Sequence, residues 1–123
     1  MQNYKELKVW QKSHSLTLEI YRVSVNFPKS EVYGLVSQIR RSAYSIPSNI
    51  AEGCGKRTQN DLANFLQIAL GSTNETEYFI LLAKDLTYLK EDSYLELTDK
   101  VNEIKAMLIN LIKKVRDSAI IKT

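Results

Sequence analysis

The sequence predicts an all-α fold, a single antiparallel, up-down-up-down four-helix bundle occupying residues 1–123. Three observations carry that expectation. Only four Gly and two Pro interrupt 123 residues, so the chain is built for a few long elements. Val, Ile and Thr never gather into the alternating runs that strands need. Apolar residues instead recur three and four apart through four segments bounded by turn and capping signals. The length allows one core and no second domain.

The first segment spans about residues 4–26 and stops at Phe27-Pro28, because proline disfavours a helical residue before it. Val9, Leu16, Ile20, Val23 and Phe27, with Ser13 in register, form its stripe, and Leu7, Trp10, Leu18 and Tyr21 widen it. The second spans about residues 30–54, with Val32, Leu35, Val36, Ile39, Ala43, Ile46 and Ile50 facing the core. Pro47 lies inside it and removes one backbone donor, predicting a bend near Ala43. Gly53 and Gly55 are read as left-handed positions that end the helix.

Thr58 caps the third segment, about residues 58–89, and Asp61 adds a favourable charge to its first turn. Its stripe reads Leu62, Phe65, Ala69, Ser72, Thr76, Phe79, Ala83 and Leu86, with a small, polar middle that admits a close neighbour. Ser93 and Glu96 form a capping box for the fourth, about residues 93–117. There Tyr94, Leu97, Val101, Ile104, Leu108, Leu111 and Val115 make the cleanest seam in the chain. Residues after Asp117 are expected to fray. Short loops between such helices favour antiparallel neighbours.

Composition excludes several classes of function. The lone Cys54 cannot form an intrachain disulfide, which fits a reducing cytoplasmic setting. The polar start MQNYKELKVWQKS is unlike a signal peptide, and no stretch is apolar enough to span a membrane. A di-iron bundle needs Glu-x-x-His pairs on two helices, whereas His14 is the sole histidine and has no glutamate three residues before it. No metal, cofactor or catalytic residue is therefore expected. Cys54 sits at a helix C-terminal end, where the dipole raises a thiol pKa, so a packed residue is the better reading. The run Gly53-Cys54-Gly55-Lys56-Arg57-Thr58 lacks P-loop spacing. A simpler anion site at the start of the third helix, beside Lys56 and Arg57, competes with a solvated basic loop.

A polar run crosses the second helix. Arg41, Ser45, Ser48 and Glu52 share one face, with Ser42 and Asn49 alongside, and Ser72 and Glu75 answer from the third helix. The run reads either as a ligand site or as a network that pins two helices and satisfies the carbonyl freed by Pro47. Without a titratable pair suited to acid–base work, the structural reading is the stronger.

At these residues the chain resembles a known family. The stretches LKVWQKS, FPKSEVYGLVSQIRRSAYSIPSNIAEGCGKRT and FLQIALGSTNETEYFILLAKDLTYL resemble the four-helix proteins encoded in 23S rRNA intervening sequences, over about residues 5–115. The resemblance implies a left-handed bundle without enzymatic activity. The family is similar to the accessory protein of diversity-generating retroelements, a homopentameric ring whose basic surface engages nucleic acid and a reverse transcriptase. Arg40, Arg41, Ser45, Asn49, Glu52, Gly53, Ser72 and Glu75 match its characteristic positions. The net charge of +3 is modest beside that surface.

Two functions follow as expectations. One is an oligomeric module that binds RNA or DNA through Lys5, Lys8 and Lys12 on one helix face, Lys56 and Arg57 at a helix start, and Lys113, Lys114 and Arg116 near the end. Aromatic residues are not visibly interleaved with these cations, so base readout is not expected. The other is a protein-interaction scaffold using the broad apolar faces of the first and fourth helices, for further copies of itself or another protein.

Overall fold

The computed structural model describes residues 2–122, with side chains through residue 119. Four long helices, α1 (Lys8–Ser24), α2 (Leu35–Cys54), α3 (Gln59–Asp85) and α4 (Glu91–Lys122), are joined by short connections. Single 3-10 turns at Tyr4–Glu6 and Lys29–Glu31 precede α1 and α2, and there is no strand among the described residues. Each helix packs on two others, in the order α1, α2, α3, α4 and back to α1.

Pairs across each seam run in opposite directions. Thr17 meets Ala43 while Ser24 meets Arg40 across α1 and α2. Ser42 meets Thr76 while Gly53 faces Phe65 across α2 and α3. Glu77 meets Lys105 and Lys84 approaches Glu91 across α3 and α4, and α1 lies against α4 through Lys12–Glu103 and Glu19–Lys100. All four seams are antiparallel. Leu16, Ile20, Ile39, Ile46, Ile50, Leu66, Ile104 and Leu108 fill the centre with no measurable exposure, each worth about 1.5–3 kcal/mol as buried apolar surface.

Several expected boundaries move, each for a local reason. The first helix starts at Lys8 because Leu7 is extended (ψ 127°) and closes the turn at Tyr4. That break lets Leu7 lie against the core and Tyr4 meet Trp10 edge-on, ring centres 5.0 Å apart. The second helix starts at Leu35, since Gly34 is non-helical (φ −107°, ψ −112°). Val32 consequently leaves the expected stripe and is exposed, and Leu35 and Val36 take the core positions.

Pro47 neither breaks nor ends α2, which stays helical from Leu35 to Cys54. The Ala43 carbonyl that Pro47 cannot reach accepts the Thr17 hydroxyl of α1 at 3.1 Å. The compensation thus comes from a neighbouring helix, not from the polar run of α2. Gly53 and Gly55 are not left-handed either, as no glycine among the described residues has a positive φ. Gly53 instead lies buried inside α2, where a Cβ would stand 2.8 Å from the Phe65 Cβ.

The third helix ends at Asp85 rather than near Leu89. Thr87 turns left-handed (φ 66°), and the Tyr88 and Thr87 amides close on the Ala83 and Lys84 carbonyls at 2.8 and 2.9 Å, a Schellman ending. The buried face of α3 is also rotated from the expected stripe. Ala63, Leu66, Thr73 and Ile80 face inward, Phe65, Ser72 and Phe79 are half-buried, and Leu86 is exposed. The fourth helix begins at Glu91, so Ser93 lies within its first turn instead of capping it. Its backbone continues to Lys122, past the expected end at residue 117. Ile112 replaces Leu111 as the buried seam residue, and Leu95 and Ile109 are left half in solvent. No described helix is long and apolar enough to cross a membrane.

Candidate nucleic-acid interface

Antiparallel packing brings the start of α1, the α2–α3 turn and the end of α4 to one end of the bundle, the pole. The Gln2 amide donates to the Cys54 carbonyl at 3.2 Å, tying the chain's first residues to that turn. The cationic clusters Lys56/Arg57 and Lys113/Lys114/Arg116 therefore gather at one end with Lys5 and Lys8 of the first cluster, while Lys12 lies a turn further along α1, against Glu103. Between them lies a pocket of about 370 Å³ whose polar lining is Gln2, Lys56, Gln59 and Lys114, over a base of Cys54, Leu62, Leu111 and Val115.

The cations at the pole differ in availability. Lys12 Nζ lies 3.1 Å from a Glu103 carboxylate oxygen. Lys56 Nζ sits 5.0 Å from the Phe65 ring centre and 4.0 Å from Glu52, a loose arrangement in which the ring orients the ammonium. Lys8, Arg57, Lys113 and Lys114 are exposed and form no ion pair among the described residues, while Arg116 is half-buried. Thr58 Oγ1 accepts the Asp61 amide at 3.1 Å, and Asp61 places a carboxylate in the same turn. The helix end is thus already capped, and positive potential at the pole comes from the side chains.

Cys54 is a buried free thiol at the base of this pocket. Burial pushes its pKa above 9.0, partly opposed by a hydrogen bond with the Gln2 side chain. Such a thiol stays protonated at neutral pH and is a poor nucleophile. His14 is exposed and stacks on Trp10 with ring centres 5.0 Å apart. No group of three or more metal-ligating side chains comes together among the described residues.

The polar run of α2 divides between two seams. Arg41 bridges to Glu75 at 2.6 Å and is steadied by Gln38 at 3.1 Å, while the hydroxyl oxygens of buried Thr76 and Ser42 meet at 3.0 Å. Arg40 faces the other way, its Nε donating to Ser24 Oγ at 2.8 Å and Nη2 to the Tyr21 carbonyl at 3.2 Å, near the end of α1. Ser45, Ser48 and Asn49 donate to carbonyls of their own helix, at Arg41 for the first and Ser45 for the others. Glu52 points to Lys56 rather than into the seam. Ser72 contributes its carbonyl, which accepts the Thr76 hydroxyl at 2.8 Å. Every buried side-chain nitrogen and oxygen among the described residues has a partner. Sequence reasoning missed Gln2 and Gln59 of the pocket, which carry no charge to flag them, and Thr17, whose hydroxyl serves Pro47 from 26 residues away.

Known proteins place the chain among relatives. A family model described as 23S rRNA-intervening sequence protein matches residues 5–110. Among solved structures, the chain is similar to a protein of unknown function from the S23 ribosomal protein family of Bacteroides thetaiotaomicron. The two are 33% identical with a TM-score of 0.77, over 85% of this chain and 98% of that one. No curated protein matches the chain.

Proposed function

The chain belongs to the 23S rRNA-intervening sequence protein family, and from that premise we propose that it is a non-enzymatic cytoplasmic binding module that holds nucleic-acid phosphates at its basic pole. The observation supporting this reading is the meeting of Lys56, from the α2–α3 turn, and Lys114, near the end of α4, on the rim of one pocket. Lys8, Arg57 and Lys113 extend the positive surface around it. Lysines without carboxylate partners bind phosphate by releasing counterions, so affinity is set by backbone charge and falls with salt. Such contacts serve RNA and DNA alike, and the pole requires no metal or cofactor for this.

A single pole offers few phosphate contacts, and self-association multiplies them. Leu18 of α1, Ile68 of α3 and Leu95 and Ile109 of α4 are each half in solvent, apolar surface suited to contacts between copies. A pentameric ring is the form that the family resemblance suggests. The same surface favours a protein-scaffold role if phosphate binding is absent.

Fluorescence anisotropy with a structured RNA and a duplex DNA, at two salt concentrations, tests the proposal. Wild-type protein is expected to bind both and to weaken steeply as salt rises. Lys56→Gln/Lys113→Gln/Lys114→Gln is expected to bind more weakly with a shallower salt slope. Absent or salt-insensitive binding would overturn the nucleic-acid reading. Light scattering that shows a clean monomer at tens of micromolar would overturn the assembly.

A further inference from the structure

The end of the bundle opposite the pole carries a different surface. Where α1 ends and α2 begins, the connection opens a groove of about 670 Å³. Three tyrosines line it, and their exposure is unusual. Tyr33 is 96% exposed, Tyr44 47% and Tyr21 39%. Lys29, Arg40 and Arg41 complete the polar lining, and no carboxylate is among the lining side chains. Buried Phe27 and Val36 form an apolar floor.

The arrangement is built rather than incidental. Arg40 is held by Ser24 Oγ and the Tyr21 carbonyl, which sets its guanidinium 4.6 Å from the Tyr21 ring centre. A fixed planar cation over an aromatic ring is a preformed stacking layer. The nearest acid of the connection, Glu31, is turned away. Its carboxylate accepts the Leu35 amide at 3.2 Å and the Tyr88 hydroxyl at 2.9 Å. Gly34 makes room for this, since a Cβ there would stand 2.7 Å from the same carboxylate oxygen. The result is a cationic, aromatic groove at the end where Asp85, Glu91 and Asp92 alternate with Lys84 and Lys90.

We propose that this groove takes unpaired nucleotides of a single strand, stacking their bases on Tyr33, Tyr44 and the Tyr21–Arg40 layer. The proposal rests on the reading of the protein as a nucleic-acid binder and adds a second site with a different preference. Lysines at the pole see phosphates and do not distinguish duplex from single strand. Aromatic faces need bases that are free of a duplex stack, and they tolerate any base because each has a π face. Arg41 is largely neutralised by Glu75, so Lys29 and Arg40 supply the positive charge for the strand's backbone. Aromatic rings alone do not select a strand over a protein segment, but Lys29 and Arg40 in a groove without a lining carboxylate favour a polyanion.

The test uses one labelled RNA sequence in two forms, unpaired and as a blunt duplex, titrated with the full chain at fixed salt. Tyr33 is almost wholly exposed, so Tyr33→Ala leaves the fold intact, and circular dichroism verifies this. Tyr33→Ala is expected to weaken unpaired RNA about 5- to 150-fold, the loss of one base–aromatic stack, while duplex affinity stays unchanged. Tyr33→Phe is expected to bind as wild type, since it keeps the ring. Equal binding of unpaired RNA by wild type and Tyr33→Ala, with duplex binding intact, would overturn the groove and leave the pole standing. Loss of self-association in Tyr33→Ala without change in strand affinity would overturn it in favour of a protein contact. Absence of binding to either form would overturn both sites.

Discussion

The two ends of the bundle are closed by different means. At the pole, α2 turns into α3 through residues 55–58, and the closure is steric. Gly53 lets α3 approach until a Cβ would be 2.8 Å from Phe65 and 3.1 Å from Leu62, and the Gln2 amide adds a main-chain bond to Cys54. At the far end two connections meet, and their closure is polar and conformational. One carboxylate, Glu31, joins the start of α2 to Tyr88 of the α3–α4 connection, and Thr87 adopts a left-handed φ that a β-branched residue dislikes. The pole therefore offers its lysines on a rigid base. The groove instead depends on a few side-chain bonds in the segment that carries Tyr33.

Gly53→Ala is the strongest way to break that contrast. Alanine improves helix propensity by about 1 kcal/mol, but overpacking of a site walled by anchored atoms costs about 1–3 kcal/mol. The Phe65 Cβ is fixed to the α3 backbone, which puts the cost in the upper part of that range, about 2–3 kcal/mol, and urea unfolding is expected to show a net loss of about 1–2 kcal/mol. An unchanged midpoint would mean that the helices part freely here, and the pole would lose its claim to rigidity. Thr87→Gly probes the far end with the opposite sign. Removing Cβ relieves the left-handed position, with an expected gain of about 1 kcal/mol in the same assay. A loss would mean that the Thr87 side chain holds the turn rather than strains it.

The difference between the ends also explains what could be read in advance. The four helices, the seam of α4 through Leu97, Val101, Ile104 and Leu108 and the Thr58 cap follow from spacing and from local chemistry that operates within a few residues. The interruptions at Leu7 and Gly34 do not, because a three-four pattern reads through a 3-10 turn, and Val32 fits a helical stripe it never joins. In α3, Ser72 and Thr73 are both small and polar, so periodicity could not choose which faces inward. The hydroxyl that serves Ala43 comes from Thr17, and nothing near Pro47 points to it.

The candidate sites divide in the same way. Each lysine cluster was legible as local charge, whereas its gathering with Gln2 and Gln59 is a product of antiparallel order. Tyr4 and Trp10 beside Lys5, Lys8 and Lys12 apart, the basic runs of the sequence hold no aromatics. Tyr21, Tyr33 and Tyr44 come together with Arg40 only when α1 folds against α2.

The smallest effect isolates the single carboxylate at the far end. The Tyr88 hydroxyl donates to Glu31, and ionising it would remove that bond and set a phenolate beside a carboxylate, which holds its pKa above the ordinary 10.0. A folded pKa raised above the unfolded one gives a contribution fully present below about pH 10 and lost as pH climbs through the folded value. Lys100, bonded to Glu19 at mid-bundle, has its pKa raised from 10.5 chiefly by that bond, and its contribution also falls on the alkaline side. Wild-type stability as a whole therefore declines there, and only a difference between variants reports on Tyr88. Urea midpoints of wild type and Tyr88→Phe, measured at about pH 7, 9 and 11, are expected to keep a constant small gap at the two lower values and to draw closer at the highest. Tyr88→Phe retains the ring that packs 5.6 Å from Phe27, so the gap reports the hydroxyl alone. A gap that persists unchanged at the highest pH would mean that Glu31 does not depend on this proton, and that the far end is closed by packing as the pole is.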